Sequence, residues 1–261
     1  MNRLVSNRLE NKLSALRHYN HSLYQLRFGC HYQIVKKLHG NYIPPKDKFS
    51  ISFLENIQKN FIQESDFKFS NLEFTENQNP KTPSFTPENL AFGKQNTNYM
   101  LKIEFHKHKW SKPQIVPFQN FSLDPFNTAI HYSLTCYEGM KAYYCETDGK
   151  LRMFRPWDNM ARFKDSMERL CMDAPWNENE LMDCIAELIR IEQKWIPRGF
   201  GQSLYVRPWA FSLTNNLELE APSSYGIFCI LNPAGNYFGD KLKPINIKLM
   251  SDFCRGRPKG S

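Results

Sequence analysis

The stretch from Thr128 to Arg162, TAIHYSLTCYEGMKAYYCETDGKLRMFRPWDNMAR, constrains this chain more than any other. It predicts a short apolar helix that ends at Gly139, then a hairpin with strands at 141–145 and 150–154. A second helix is expected after Pro156, because proline is well tolerated in the first turn of a helix. The stretch therefore predicts a compact α+β unit.

Local sequence supports both the hairpin and the second helix. Asp148 and Gly149 form the pair that two-residue hairpin turns favour, since both central residues of such turns need positive φ. Beyond the hairpin, apolar residues recur at helical spacing. These are Met160, Phe163, Met167 and Leu170.

Strands and one longer helix are predicted around this unit. Asn177 and Glu180 have a capping-box spacing, and the apolar periodicity after them continues to Trp195 before Pro197 and Gly199 end it. The run 225–231 is continuously apolar, which indicates a strand buried on both faces. The remaining predicted strands are 99–105, 115–123, 203–211 and one starting in 245–250, with a connecting loop at 232–235.

Charge and composition exclude several classes of protein. Of the net charge of +8 on 261 residues, residues 1–40 carry +6, with seven Lys or Arg against one Glu. The remaining +2 provides no basic face, so we expect no nucleic-acid binding by the folded part. No apolar run approaches the length that crosses a bilayer, and we expect no membrane-spanning segment. Seven cysteines without a CxxC pair indicate neither a disulfide scaffold nor a zinc site, and no metal is expected.

The first 87 residues fall into two segments. Residues 1–40 are basic, almost free of acid and partly amphipathic, which is typical of a mitochondrial transit peptide; a basic tail without a targeting role is the alternative. Residues 41–87 form an N-terminal extension, with an amphipathic helix at 51–63 and a proline-rich loop at 76–87. We expect that loop to lie across the surface of the following domain.

Six motifs in one order carry a family resemblance: LAFGKQNTNYML, VPFQNFSLDP, HYSLTCYEGMKAY, LRMFRPWDNMAR, SLYVRP and NPAGNYF. Together they resemble the branched-chain amino acid aminotransferases, pyridoxal 5'-phosphate enzymes of fold type IV. The resemblance implies a small α+β domain at 88–231, an interdomain loop at 232–243 and the start of a large domain at 244–261. It also implies a homodimer, and the transit-peptide-like residues 1–40 predict the mitochondrial matrix as its location, with the cytoplasm as alternative. The implied reaction moves the amino group of leucine, isoleucine or valine to 2-oxoglutarate, giving glutamate and the 2-oxo acids.

The resemblance also assigns site residues. Arg162, in the NM-x-R motif, would bind the cofactor phosphate, although Ala161 stands where the family usually has an acidic residue. Tyr205 and Arg207 would lie near the substrate, with Arg207 admitting a second carboxylate. The aromatic wall for an aliphatic side chain would comprise Phe92, Tyr132, Tyr137 and Tyr237, of which Tyr137 is usually phenylalanine, while Tyr132 and Leu217 would complete the neighbouring subunit's site.

Without the resemblance, these residues have simpler interpretations. Arg162 alone indicates a surface ion pair. Tyr205 and Arg207 alone indicate a half-buried strand whose arginine reaches solvent. The aromatic residues alone indicate core packing.

The family's Schiff-base lysine lies just past a stretch that SDFCRGRPKGS resembles, and Lys259 does not match it. No catalytic residue is therefore assigned, and the 261-residue chain is expected to be inactive by itself as a fragment of a transaminase. A short non-catalytic paralogue that acts as a binding or dimerisation partner is the alternative. Within fold type IV, a D-amino acid aminotransferase or an aminodeoxychorismate lyase is also possible.

Overall fold

The computed structural model of the protein describes residues 65–174, 176–236 and 244–249. The transit-like segment, the helix expected at 51–63, Tyr237 and Lys259 lie outside these ranges. No helix within these ranges is long and apolar enough to cross a membrane.

One mixed sheet with its two long helices on one side organises the described residues. The strand order is β1-β4-β2-β9-β8-β6-β7, with β3 paired to β2 and β5 paired to β8. The β1–β4 pair is parallel, and the other pairs are antiparallel. The strands are β1 (Glu73–Phe74), β2 (Tyr99–His106), β3 (Lys109–Trp110), β4 (Gln114–Pro117), β5 (Thr135–Tyr137), β6 (Met140–Tyr144), β7 (Leu151–Met153), β8 (Ser203–Ser212) and β9 (Tyr225–Ala234), and the helices are α1 (Thr128–Tyr132), α2 (Pro156–Arg169) and α3 (Glu178–Ile191).

The main core lies between the sheet and the two long helices. Three residues of the predicted stripe, Met160, Phe163 and Met167, are completely inaccessible to solvent on α2, while Leu170 follows the helix and is half-buried. Burial of a large apolar side chain contributes roughly 1.5–3 kcal/mol, so these stripes fix which sheet face the helices cover. The core residues include Met160, Met167, Leu181, Ile185 and Leu188 from the helices and Leu101, Ile103, Leu204, Val206, Ile227 and Leu231 from the sheet.

The α+β class, the hairpin strands and the helix after Pro156 are confirmed, but two local predictions are wrong. The first helix ends at Tyr132 instead of Gly139, because Ser133 takes a left-handed conformation with φ 54°. The hairpin loop is longer than two residues, because Cys145 N donates to Lys150 O and only Gly149 of the expected pair has positive φ.

Three strand limits differ from the prediction. The strand expected at 115–123 ends at Pro117, and the chain then turns over the sheet so that the Phe121 ring lies 4.8 Å from that of Phe228. In contrast, β9 continues through Asn232 and Pro233, which had been predicted to form a loop, because β8 residues pair with them. Residues 244–249 have no strand assignment.

The other predicted helix and the proline-rich loop are confirmed with one change. Asn177 caps α3 by accepting from Asn179 N at 2.8 Å, but Glu180 accepts from Phe69 N instead of completing a capping box. The loop at 76–87 follows the surface of the sheet domain. Asn98 holds it by accepting from Lys81 N at 2.7 Å and donating to Lys81 O at 3.0 Å.

A buried carboxylate joins the end of α3 to the start of β2. Glu192 is 2% exposed and accepts from Tyr99 N at 2.6 Å. Burial raises the pKa of Glu192 from 4.5 to about 7, although hydrogen bonds from Tyr99, Asn98 and Thr97 oppose the shift. The folded state therefore holds this proton more tightly than the unfolded chain does.

We expect Glu192 to make stability fall as pH rises. Its contribution is complete below about pH 4.5 and is lost as pH rises through about 7, a change of up to about 3 kcal/mol. Glu192→Gln cannot titrate and keeps an oxygen for Tyr99 N, so the unfolding free energy of wild type minus that of E192Q should fall over this pH window. Urea unfolding of both proteins at several pH values measures this difference in unfolding free energy. If the unfolding free energies of wild type and E192Q changed in parallel with pH, Glu192 would not titrate in this window.

Candidate functional site

The sheet face opposite the two long helices carries the candidate site. Tyr205, Arg207 and Trp209 alternate along β8 and share this face, as the period of a strand requires. Lys141 of β6 and Asn232 of β9 are the direct Cα partners of Tyr205, so both lie in its row. The face thus combines cations, aromatic rings and an amide in one small area.

Arg207 occupies the centre of this group. Its guanidinium carbon lies 4.4 Å from the Tyr137 ring centroid and 5.2 Å from that of Tyr205. Its Nη2 donates to Tyr205 Oη at 2.9 Å, which confirms that the two side chains share a face. Among the described residues Arg207 has no ion pair, and its buried Nε has no acceptor there. A buried guanidinium N–H without an acceptor is costly, and an anion would satisfy it.

The Tyr205 ring is fixed from two other sides. The Phe92 ring meets it edge-on with centroids 4.9 Å apart. Gly139 lies against its hydroxyl end, where an added Cβ would be 2.4 Å from Tyr205 Oη and 3.1 Å from Cζ. Glycine is therefore needed at position 139 to make room for the tyrosine.

We expect Gly139→Ala to displace Tyr205 and weaken binding of a carboxylate ligand by about tenfold, because Arg207 loses the hydroxyl that orients it. Tyr205→Phe removes the closest clashing atom, so G139A in a Y205F background should cost much less than in wild type. Ligand titrations of wild type, G139A, Y205F and the double variant measure the coupling energy between the two substitutions. Additive effects would show that the clash with Tyr205 is not the cause.

Arg162 lies in the second turn of α2 and forms an ion pair with Glu138. The Glu138 carboxylate also accepts from Asn159 Nδ2 at 2.9 Å, and the same amide donates to Gly139 O at 3.1 Å. The Arg162 side chain is 61% exposed, so donors beyond the Glu138 contact face solvent. The ion pair expected from sequence alone is therefore present, while the phosphate role of Arg162 stays a prediction.

Tyr132 and Leu217 lie at the other end of β8. Tyr132 Oη donates to Leu217 O at 2.7 Å, and α1 is anchored by Thr128 Oγ1 at 2.6 Å from Ser212 Oγ. At the usual strand rise, Ser212 is about 23 Å along β8 from Tyr205. The structure therefore brings Phe92, Tyr137, Tyr205 and Arg207 together and separates Tyr132 and Leu217 from them, while Tyr237 is outside the described residues.

Buried thiols are not candidate nucleophiles. Burial raises the pKa of both the Cys136 thiol and the Cys184 thiol to about 12, which keeps them protonated near neutral pH. Within the described ranges, no group of three or more His, Cys, Asp or Glu residues is arranged to hold a metal ion. The chemistry of the face therefore depends on its cations and aromatic rings.

Sequence reasoning missed three residues of this region. Lys141 and Asn232 had no signal of their own, because their place beside Tyr205 follows from strand register. Glu138, the partner of Arg162, could have been suspected from the neighbouring EGMKAY and NMAR motifs. None of the three was assigned a role from the sequence.

An arginine between two tyrosines, beside further aromatic rings, defines the class of site: it suits a small ligand with a carboxylate and an apolar part. No protein-family model matches the chain. The mitochondrial branched-chain-amino-acid aminotransferase of Bos taurus is 40% identical over 193 residues, which are 73% of this chain and 49% of the relative. Branched-chain-amino-acid aminotransferase 2 of Bacillus subtilis is 36% identical over 182 residues, which are 69% of this chain and 50% of the relative.

Solved structures of the same kind of enzyme align over a smaller part of the chain. The branched-chain amino acid aminotransferase of Escherichia coli has a TM-score of 0.43 and 21% identity, covering 55% of this chain and 42% of that one. From its sequence relatives, the chain is homologous to the branched-chain aminotransferases. It spans about half the length of the curated relatives it matches.

Proposed function

We propose that the protein is a branched-chain-amino-acid transaminase that moves the amino group of leucine, isoleucine or valine to 2-oxoglutarate. Arg207 is the observation that carries this proposal. It is a half-buried cation between two tyrosine rings, with no carboxylate partner among the described residues. The relatives named for this activity, at 36–40% identity, support it.

Arg207 would select the dicarboxylate partner of the reaction. A guanidinium presents paired donors that match a carboxylate, and the low polarity of the flanking rings strengthens that contact. Phe92 and Tyr137 would contact the aliphatic part of a branched-chain substrate. One pocket can then accept leucine-like chains by apolar contact and glutamate by ion pairing.

The cofactor in this proposal is pyridoxal 5'-phosphate, which supplies an electron sink for the reaction at the substrate α-carbon. Arg162 fits its phosphate, because its exposed guanidinium retains donors beyond the Glu138 contact. Glu138 and Asn159 would hold Arg162 in place. We assign no described lysine to the Schiff base.

The same proposal includes a homodimer and a location in mitochondria. Tyr132 and Leu217 are 37% and 48% exposed and linked to each other at the far end of β8, where they would complete the site of a second subunit. The basic, acid-poor residues 1–40 and the mitochondrial relatives support import into mitochondria. Bacterial relatives are also similar to the chain, and the cytoplasm is the alternative.

A transamination assay tests this function. Protein expressed from its complete coding sequence and saturated with pyridoxal 5'-phosphate is incubated with 2-oxoglutarate and leucine, isoleucine or valine. We expect glutamate to form with all three donors and little to form with aspartate. Folded, cofactor-saturated protein that forms no glutamate from any of the three would overturn the proposal.

A further inference from the structure

The loop at 90–97, which carries Phe92, is tied along the final residues of β9. Asn232 is at the centre of this attachment. Its Oδ1 accepts from Gly93 N at 2.9 Å, and its Nδ2 donates to Gln95 O. Two backbone hydrogen bonds flank it, from Thr97 N to Leu231 O at 3.3 Å and from Gly235 N to Leu90 O at 2.8 Å.

The two bonds of Asn232 differ from the flanking ones because they come from a side chain. Asn232 is 8% exposed, so water could not easily take the place of its side chain in these two hydrogen bonds. Gly93 has φ 76°, a left-handed turn that glycine tolerates, directly after Phe92. Asn232 therefore fixes the backbone at the point from which the Phe92 side chain leaves the loop.

Three contacts connect Phe92, Tyr205 and Asn232 to one another, because Asn232 also holds the loop that carries Phe92. The Phe92 ring packs edge-on against Tyr205, and Tyr205 is the direct β8 partner of Asn232. A shift of the loop would move Phe92 relative to Tyr205, while the hydroxyl end of Tyr205 would keep its contact with Gly139 and its hydrogen bond from Arg207.

We propose that Asn232 is a positioning residue that holds Phe92 against Tyr205 and so sets the pocket for the apolar side chain of the substrate. This proposal rests on the proposed function and deepens it. Asn232 acts through Phe92, so it affects recognition of leucine-like chains and not of the second carboxylate at Arg207.

Asn98 provides a matched control. It is also 8% exposed, and its side chain likewise accepts from one backbone N–H and donates to one carbonyl of a surface loop, both at Lys81. The rings of Phe92 and Tyr205 play no part in that attachment. Asn98→Ala should therefore loosen a loop as Asn232→Ala does, without changing substrate preference.

The test combines hydrogen exchange with kinetics on the protein expressed from its complete coding sequence. We expect Asn232→Ala to speed amide exchange in 90–97, and Asn98→Ala to speed it around Lys81 instead. We also expect N232A to raise KM for leucine by about tenfold, with KM for glutamate and kcat within about twofold of wild type. Phe92→Ala should show the same pattern, and the N232A/F92A double variant should be no worse than F92A alone.

Three results would overturn the proposal: unchanged exchange in 90–97 of N232A, a KM increase that is equal for leucine and glutamate, or a KM increase that is additive with that of F92A. Wild-type protein without transaminase activity would instead contradict the proposed function. The exchange result does not depend on activity, so it still decides whether Asn232 holds the loop.

Discussion

Arg207→Ala is expected to raise KM for 2-oxoglutarate between about 30- and 5,000-fold while changing KM for the 2-oxo acid of leucine only a few-fold. Loss of one partner from a desolvated, hydrogen-bonded charge pair costs about 2–5 kcal/mol. The guanidinium lies between two tyrosine rings and has no carboxylate partner among the described residues, so a ligand carboxylate would be its counter-ion. Steady-state kinetics with the two oxo acids measure the difference.

Arg198→Ala is the control for Arg207→Ala. Arg198 also stacks on a tyrosine, with its guanidinium carbon 4.2 Å from the Tyr144 ring centroid, but it is exposed. Its loss should leave both KM values near wild type. If R207A raised both KM values equally, Arg207 would not be the receptor of the second carboxylate.

Arg162→Ala is expected to weaken binding of pyridoxal 5'-phosphate by about 100-fold, because a phosphate loses a charge-assisted contact. Cofactor titration followed by the absorbance of the bound form measures this change. Pyridoxal, which lacks the phosphate, should bind wild type and R162A alike. This comparison separates a phosphate contact from general damage to the fold.

Arg152→Ala is the matched control for Arg162→Ala, since Arg152 is likewise an exposed arginine paired with one acid, Asp148. The loss of an exposed ion pair changes stability little, so R152A should bind the cofactor normally. If R162A bound the cofactor as tightly as wild type, Arg162 would have no role in phosphate binding and would serve only as the ion-pair partner of Glu138.

Sequence predicted best the elements that their own residues specify. Pro156 and the apolar stripe after it define α2 locally, and strand alternation placed Tyr205 and Arg207 on one face. The strand β9 was cut short in the prediction because Asn232 and Pro233 resemble a turn. Pairing with β8 overrides that local preference, and no local pattern contains this information.

The site was less predictable than the fold for the same reason. Phe92 reaches Tyr205 from a loop that is held by residues distant in sequence, among them the Asn232 side chain. Likewise, Arg162 meets Glu138 only because the hairpin between them returns to α2. The family resemblance implied an arginine and an aromatic wall, but the register of the sheet determines which of these residues meet.

We propose that the sheet face opposite the two long helices receives the distal carboxylate of the substrate at Arg207. A crystal structure of the cofactor-saturated protein with bound glutamate tests it most directly. We expect the distal carboxylate to lie within about 3 Å of the Arg207 guanidinium, between the rings of Tyr137 and Tyr205. A glutamate whose distal carboxylate is held elsewhere, with no contact to Arg207, would contradict it.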